Sequence, residues 1–518
     1  MPSERRLHPA TLLFDLAQHI KRFAVPAVLV MVGASRSSGG PNGAFGRVPD
    51  GWEMWLLVLL VPAIVATVAR YISFRLRYDD HELVIRSGLI FRNERHVPYS
   101  RIQNIDAIQN LFHRLLHVVE VRVETGGGKE EEARFSVLSQ EAFEDLRAHV
   151  FRMRAPLAAA AAHDKPAAPL EPSGETLVHL PLPELLLCGL LENKGMVVIG
   201  AAYGVAWETG VLDGFWEGLF GGTETIGRGF FRAIAGVLFE GQPLPLGRIA
   251  LGLAAGIGLL LFVRIVSMVW AFVRLYDFRL TRIGDDLRTV YGLFTRVTTT
   301  VPIRRVQTVI VASGPLHRWL GRSTVRVETA GGVSQQKNAS SVREWLAPLI
   351  RNEQLPGLLQ QVVPGFDLAA LDWQRLHPRA FARALKPNAI VAGVITLVAA
   401  FAIGWGAVGV LVLTLAWAIV SARQYVAHLG WAESDEVVVM RSGWLWRKVT
   451  LARANKIQSV ALHQSPFDRR AAMARVRVDT AGARELSHRI DVPYLDITVA
   501  RGLHARLAAQ AANTAFKW

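Results

Sequence analysis

The sequence predicts a membrane protein of three repeats, each an α-helical membrane hairpin leading into an α+β, mostly-β soluble domain. Three observations carry that fold class: uncharged apolar blocks, one motif repeated three times at fixed spacing, and period-two alternation within each repeat.

The apolar blocks come first. The composition is 51% hydrophobic and only 19% charged, with mean hydropathy +0.26. A typical soluble chain carries about 25% charged residues, so the deficit points to lipid. The clearest block, Pro387 to Ala422, runs 36 residues without a charge. One straight span needs about 20 residues, and Gly404-Trp405-Gly406 near the middle supplies a turn, so the block predicts two short helices. Met54 to Ala69 is uncharged, and Ile249 to Val273 is apolar except for Arg264. Their expected partners, Phe23 to Ser35 and Gly195 to Trp207, are shorter. The repeat raises all four to spans, giving three hairpins. Phe230, Phe231, Ile234, Val237 and Leu238 share one helical face in the Phe/Trp-rich stretch Phe215 to Phe239.

The repeat is read next. Val121-Arg122-Val123-Glu124-Thr125 recurs as Val325 to Thr329 and as Val476-Arg477-Val478-Asp479-Thr480. Each motif has a Gln 22 residues before its Thr: Gln103, Gln307 and Gln458. Fifteen residues earlier stand Gly88, Gly292 and Gly443, followed after four residues by Arg92, Arg296 and Arg447. Arg114, Arg318 and Arg469 lie 11 residues beyond each Gln. The register continues into the membrane, where Arg70 and Phe74 match Arg274 and Phe278. Before each hairpin runs an amphipathic stretch: Pro9 to Lys21, Pro183 to Lys194, Pro378 to Lys386.

Within each repeat, Val-Arg-Val-Glu-Thr places its valines on one face, as in a half-buried strand. The three glycines end apolar runs and predict hairpin turns. A helix is expected to close each copy: Glu141 to Met153, Val342 to Ile350 after the capping pattern Ser341…Glu344, and Leu495 to Ala508. The resulting boundaries are 1–74 for the first hairpin and its leading helix, and 75–154 for the first domain. A linker at 155–182, a hairpin at 183–274 and a domain at 275–352 follow. The last linker is 353–375, the last hairpin 376–427 and the last domain 428–510. The linkers are rich in Ala and Pro (Ala155 to Pro169) and in Leu, Pro and Gly (Leu355 to Pro364).

Gly88, Arg92, Pro98, Ile102 and Gln103, with Gly292, Arg296, Pro302, Val306 and Gln307, and Gly443, Arg447, Ile457 and Gln458, resemble the bacterial pleckstrin-homology-like membrane proteins. The third copy has Ala452 or Arg453 where the others carry Pro98 and Pro302. The resemblance implies three PH-like curved antiparallel barrels, each capped by a C-terminal helix. It implies little about ligand, because the fold hosts many partners.

Catalytic chemistry is not expected. No Gly-x-Ser-x-Gly elbow and no His-Glu-x-x-His frame occurs, and Thr125-Gly126-Gly127-Gly128-Lys129 is followed by three glutamates that repel phosphate. His113 and His317 recur in register but have no second ligand nearby, so a turn contact is expected and no metal or cofactor. The single cysteine, Cys188, excludes an internal disulfide and is expected to be buried. No removable signal peptide is expected.

Net charge is +15. Nucleic acid is not the expected partner, for want of a binding fold's fingerprint. Residues 75–154 are neutral, whereas 275–352 carry net +7 and 428–510 net +5. Arg304, Arg305, Lys337, Arg453 and Lys456 are therefore candidate anionic-lipid contacts. The recurring Arg122, Arg326 and Arg477 are expected to pair across strands, with contact to lipid headgroups or an acidic partner as the alternative. The expectation is a non-enzymatic scaffold of the inner membrane, with cytoplasmic domains that bind lipid headgroups or a membrane protein partner. Oligomerisation is compatible with it. The alternative is a lipid transporter or a component of an envelope transport complex, supported by Arg264 inside an apolar segment and by the Phe/Trp-rich stretch Phe215 to Phe239.

Overall fold

A computed structural model describes residues 4–17, 61–125, 133–150, 174–192, 246–329, 345–480 and 490–513, apart from a few positions within them. The expected span Phe23 to Ser35, most of Gly195 to Trp207 and of Met54 to Ala69, the stretch Phe215 to Phe239, the Gly126–Lys129 turn and Lys337 lie outside the described residues; Gly200, Ala201 and Gly204 are described, as helix.

Three helices among the described residues are long and apolar enough to cross a membrane. Their apolar spans are Gly256–Leu275, Ala380–Phe401 and Gly404–His428, with mean hydropathies of 2.2, 1.7 and 2.0. The last two form the expected hairpin: helix Ala380–Ile403, a 3-10 turn Gly404–Gly406, then helix Ala407–His428. Gly404 reverses the chain with φ of +56°.

Each soluble unit is made of two antiparallel sheets. In the first unit, β1 (Glu4–Arg5), β2 (Arg75–Tyr78), β3 (Glu82–Ser87) and β4 (Asn93–Pro98) precede β5 (Ile102–Gln109), β6 (Val118–Thr125) and β7 (Ala133–Ser139). The second repeats this with β8 (Glu175–His179), β9 (Arg279–Ile283), β10 (Asp286–Tyr291) and β11 (Arg296–Pro302), then β12 (Val306–Ser313), β13 (Arg322–Thr329) and β14 (Trp345–Arg351). The third has β15 (Gly430–Glu433), β16 (Val437–Ser442) and β17 (Arg447–Arg453), then β18 (Ile457–His463), β19 (Met473–Thr480) and β20 (Ile490–Asp496). The helices used below are α1 (Leu111–Leu115), α2 (Leu182–Leu191), α3 (Leu246–Leu275), α4 (Pro315–Trp319), α5 (Leu355–Val362), α6 (Ala380–Ile403), α7 (Ala407–His428), α8 (Pro466–Arg470) and α9 (Ile497–Asn513).

A helix closes each core, because alternate strand residues turn their apolar side chains inward and need a lid. In the first unit Phe143, Leu146 and Val150 cover Leu83, Ile85, Val119 and Val121; in the third, Ala500, Leu503 and Leu507 cover Val476 and Val492. The second unit departs from the sequence expectation. Trp345–Ile350, expected within the helix Val342 to Ile350, lies in strand β14, which pairs with β13. Pro348 explains this: inside a helix it removes a hydrogen bond and clashes, whereas an edge strand tolerates it. β14 is a sheet edge, and Pro493 holds the same place in edge strand β20. The second lid is α5, from a segment expected to be linker, with Leu355, Leu358, Leu359 and Val362 buried at helical spacing.

Residues upstream of the hairpins also belong to the soluble units. β8, within the expected 155–182 linker, pairs with β9, and β1 pairs with β2. In the third unit this leading strand shrinks to the bridge Gln374↔Trp431.

The sheets do not stop at unit boundaries. Their orders are β1-β2-β3-β4, then β7-β6-β5-β11-β10-β9-β8, then β14-β13-β12-β17-β16-β15, then β18-β19-β20. The second sheet of one unit thus runs on into the first sheet of the next. At the second joint, Val437, Val439 and Leu451 of the third unit enter the core of the second. Their burial contributes on the order of 5 kcal/mol to that joint.

Candidate membrane-facing site

The recurring residues build the turns and joints. Gly88, Gly292 and Gly443 have φ of +96°, +113° and +82° at the hairpin turns between β3 and β4, β10 and β11, and β16 and β17. A Cβ at Gly292 or Gly443 would stand 2.0 Å from the carbonyl oxygen of Thr295 or Trp446, so these turns require glycine. The recurring glutamines mark a β-bulge. The strand register shifts between Ile102 and Asn104, between Val306 and Thr308, and between Ile457 and Ser459. Gln103, Gln307 and Gln458 are the extra residues. Gln307 is buried, its Nε2 donating to the Arg305 carbonyl at 3.4 Å, while Gln458 is exposed.

Arg296 and Arg447 begin the strands at the joints. Arg296 stands opposite Gln109, and Arg447 opposite Ser313. Arg114 donates to the Leu293 carbonyl at 3.0 Å, and Arg318 to the Leu445 carbonyl at 2.6 Å. The arginines of α1 and α4 therefore grip the hairpin turn of the next unit. The Val-Arg-Val-Glu-Thr arginines vary. Arg477 pairs across strands with Asp491 at 3.8 Å, whereas Arg326 stacks on Trp345, and Glu328 accepts from Thr308 at 2.8 Å.

These turns lie against the membrane helices. Gly292 N–H donates to the Tyr276 carbonyl and Leu293 N–H to the Val273 carbonyl, at the end of α3. Trp444 sits 6.0 Å from Trp417 of α7, and Arg447 reaches His428 at 2.9 Å. α8 touches the base of α6, where Arg383 bonds Asp468 at 2.9 Å and lies over Phe467. The rim so formed exposes large apolar side chains: Leu89, Phe294 and Trp446 on turns, Phe112, Trp319 and Phe467 on short helices. Trp319 is 82% exposed. Arg92, Arg296, Arg447 and Arg469 are exposed on the same rim. Apolar rings beside arginines suit the boundary between acyl chains and headgroups.

The predicted lipid contacts lie elsewhere. Arg304 and Arg305 lie in the 3-10 turn after β11, while Arg453 ends β17 and Lys456 ends the 3-10 turn after it. A seven-residue strand separates each set from the rim, about 23 Å at 3.3 Å per residue. Arg304, Arg453 and Lys456 converge there. Burial, with both arginines adding to it, holds the Lys456 ammonium below its usual pKa. Two of the candidates turn into the protein. Burial pushes Arg305 down to about 10, near Asp106 of the first unit. Arg453 donates to the Val362 carbonyl at the end of α5.

Arg264 donates to the Leu190 carbonyl at 3.0 Å, satisfying the last turn of α2. Cys188 is buried on the same helix. His113 stacks on Phe14 at 4.0 Å, and burial lowers its pKa. Among the described residues no three His, Cys, Asp or Glu side chains cluster as metal ligands do.

A family model described as "Bacterial PH domain" matches residues 12–154, 230–350 and 384–511, most of the chain. The chain belongs to the bacterial PH domain family. It is also similar to the UPF0699 transmembrane protein YdbT of Bacillus subtilis (strain 168), with 23% identity over 511 residues that cover 96% of each chain. Sequence reasoning placed the turn glycines of the bacterial PH units but missed the rim. The signal was present as one or more large apolar residues after each cap, in Leu111-Phe112, Leu316 and Trp319, and Phe467. Such residues read as core until the fold shows which side they face.

Proposed function

We propose that this multi-pass membrane protein is a non-enzymatic scaffold whose three bacterial PH units form one platform against the anionic inner leaflet of the cell membrane, on the cytoplasmic side. The observation that carries the reading is the rim of exposed Leu89, Phe112, Phe294, Trp319, Trp446 and Phe467 level with the helix ends. The rim apolars enter the headgroup layer and the neighbouring arginines meet lipid phosphate, each cation contributing about 1 kcal/mol near an anionic surface. Continuous sheets make the three contacts act together. Loops poor in cations on the opposite side (Arg36 and Arg47, Arg228 and Arg232, none near Trp405) support cytoplasmic units.

Single cysteines at Trp319 and Arg304, in the full chain in anionic vesicles, test the placement. Trp319→Cys should resist a water-soluble maleimide and be quenched by a lipid-phase nitroxide, while Arg304→Cys labels freely. Equal labelling of both defeats the reading.

A second reading rests on the far pair of Arg304 and Lys456. About 23 Å from the rim, it faces away from the bilayer and suits an acidic protein partner. The transport alternative keeps the Phe/Trp-rich stretch Phe215 to Phe239, while Arg264 serves as a helix cap.

A further inference from the structure

The two internal joints use one register. With positions counted from the turn glycine and the bulge glutamine, the fifth residue after Gly292 (Val297) opposes the fifth after Gln103 (Ile108). The fifth after Gly443 (Lys448) likewise opposes the fifth after Gln307 (Ala312). The flanking pairs agree: Arg296↔Gln109 with Arg447↔Ser313, and Thr298↔Ala107 with Val449↔Val311. Each joint also carries a clamp, Arg114 to Leu293 and Arg318 to Leu445.

Three units have three copies of each half-joint, and two of each are used. The remaining halves are β4 of the first unit and β18 of the third. Among the described residues both are sheet edges, laddered on one side only. Their exposure reflects this. The first four residues of β4 are exposed, whereas the fourth to sixth of its counterpart β17 are buried. In β18 only Ile457 is buried, while the first six residues of counterpart β12 all are. Arg469, counterpart of the two clamps, is exposed, and its side chain makes no hydrogen bond or ion pair among the described residues. The turn it would grip carries exposed Leu89.

We propose that these halves join between molecules: β18 of one chain pairs with β4 of a second copy, and Arg469 clamps that copy's turn. The shared register places Asn93 opposite His463, Glu94 opposite Leu462 and Arg95 opposite Ala461. The charges of β4 do not oppose this, since Glu94 pairs with Arg86 and Glu82 with His96 inside their own sheet. β18 carries no charged residue from Ile457 to Leu462. The first joint tolerates similar polarity, with Asp106 buried beside it. Each edge has one end at the membrane rim, β4 its first residues and β18 its last, so the contact repeats in the plane of the bilayer. Confinement there raises the local concentration of a contact that is small by itself. The interface is heterologous, so it continues head to tail, into a ring if the rotation closes and a row if it does not.

The test uses the full chain in membranes with Cys188→Ala as background. Asn93→Cys and His463→Cys are placed on separately tagged chains and oxidised together. The Ile108→Cys/Val297→Cys pair, at the same register position inside one chain, is the positive control. The proposal expects a disulfide joining the two tags, ladders of higher mass when both cysteines are on one chain, and loss of most of that product in Arg469→Ala. Closure of the internal control without any joining of the two tags overturns it. So does joining that is equal for an off-register Gln458→Cys partner or unaffected by Arg469→Ala.

Discussion

Replacing Gly443 with alanine isolates the turn that ties the third unit to both the second unit and the membrane. Gly443 has φ of +82°, where an L-residue costs about 1–2 kcal/mol. Its Cβ would stand 2.0 Å from the Trp446 carbonyl oxygen, so the turn must shift by more than about 1 Å to reach ordinary contact. That movement disturbs the Arg318 bond to Leu445 and the Trp417–Trp444 pair. At a partly exposed site these contribute about 1 and 0.5–1 kcal/mol. The sum is about 3 kcal/mol, a factor of about 100 in local opening. Amide hydrogen exchange of the full chain in micelles reads it directly. Protection of residues 443–447 and β17 should fall about a hundredfold, with β2 and β3 unchanged. Gly393→Ala in α6, where a Cβ meets nothing within 4 Å, serves as control. Unchanged exchange in β17, or an equal effect from Gly393→Ala, would refute the reasoning.

Other outcomes follow from single contacts. Glu184 is held below the usual carboxylate range, chiefly by its hydrogen bonds from Arg322 at 2.7 and 3.0 Å. Its folded pKa is depressed, so its contribution is present above the unfolded pKa and lost as pH falls through the folded one. Glu184→Gln should therefore weaken docking of α2 by about 1–2 kcal/mol at neutral pH, a difference from wild type that exchange measurements should see vanish in acid. Gly357→Ala, in α5 with open space at its Cβ, should stabilise the second unit by about 0.5–1 kcal/mol in the same exchange measurement. Arg264→Ala should raise exchange at the end of α2, and unchanged protection there would refute the capping role. A periplasm-active reporter fused after Arg154, Asn352 or Trp518 should stay silent, and activity at any of the three would overturn the cytoplasmic placement.

Spacing and periodicity alone determined the repeat, the third hairpin and the turn glycines. Those features are local: a left-handed turn admits glycine, and 36 uncharged residues around Gly-Trp-Gly have few folded alternatives in lipid. The lid of the second unit was not legible. The buried strand Trp345–Arg351 and a helix segment share an apolar composition, and only pairing with β13 separates them. The charge excess of the second and third units was legible as a number but not as a place. Strand direction carries Arg304, Arg453 and Lys456 to the end of the sheets away from the rim, and packing turns Arg305 and Arg453 inward. The joints belong wholly to tertiary structure. A strand edge exposes the same backbone donors and acceptors whatever its side chains, so no pattern in Val306–Ser313 announces Arg447–Arg453 as its partner. That pairing depends on where the membrane helices set the units down.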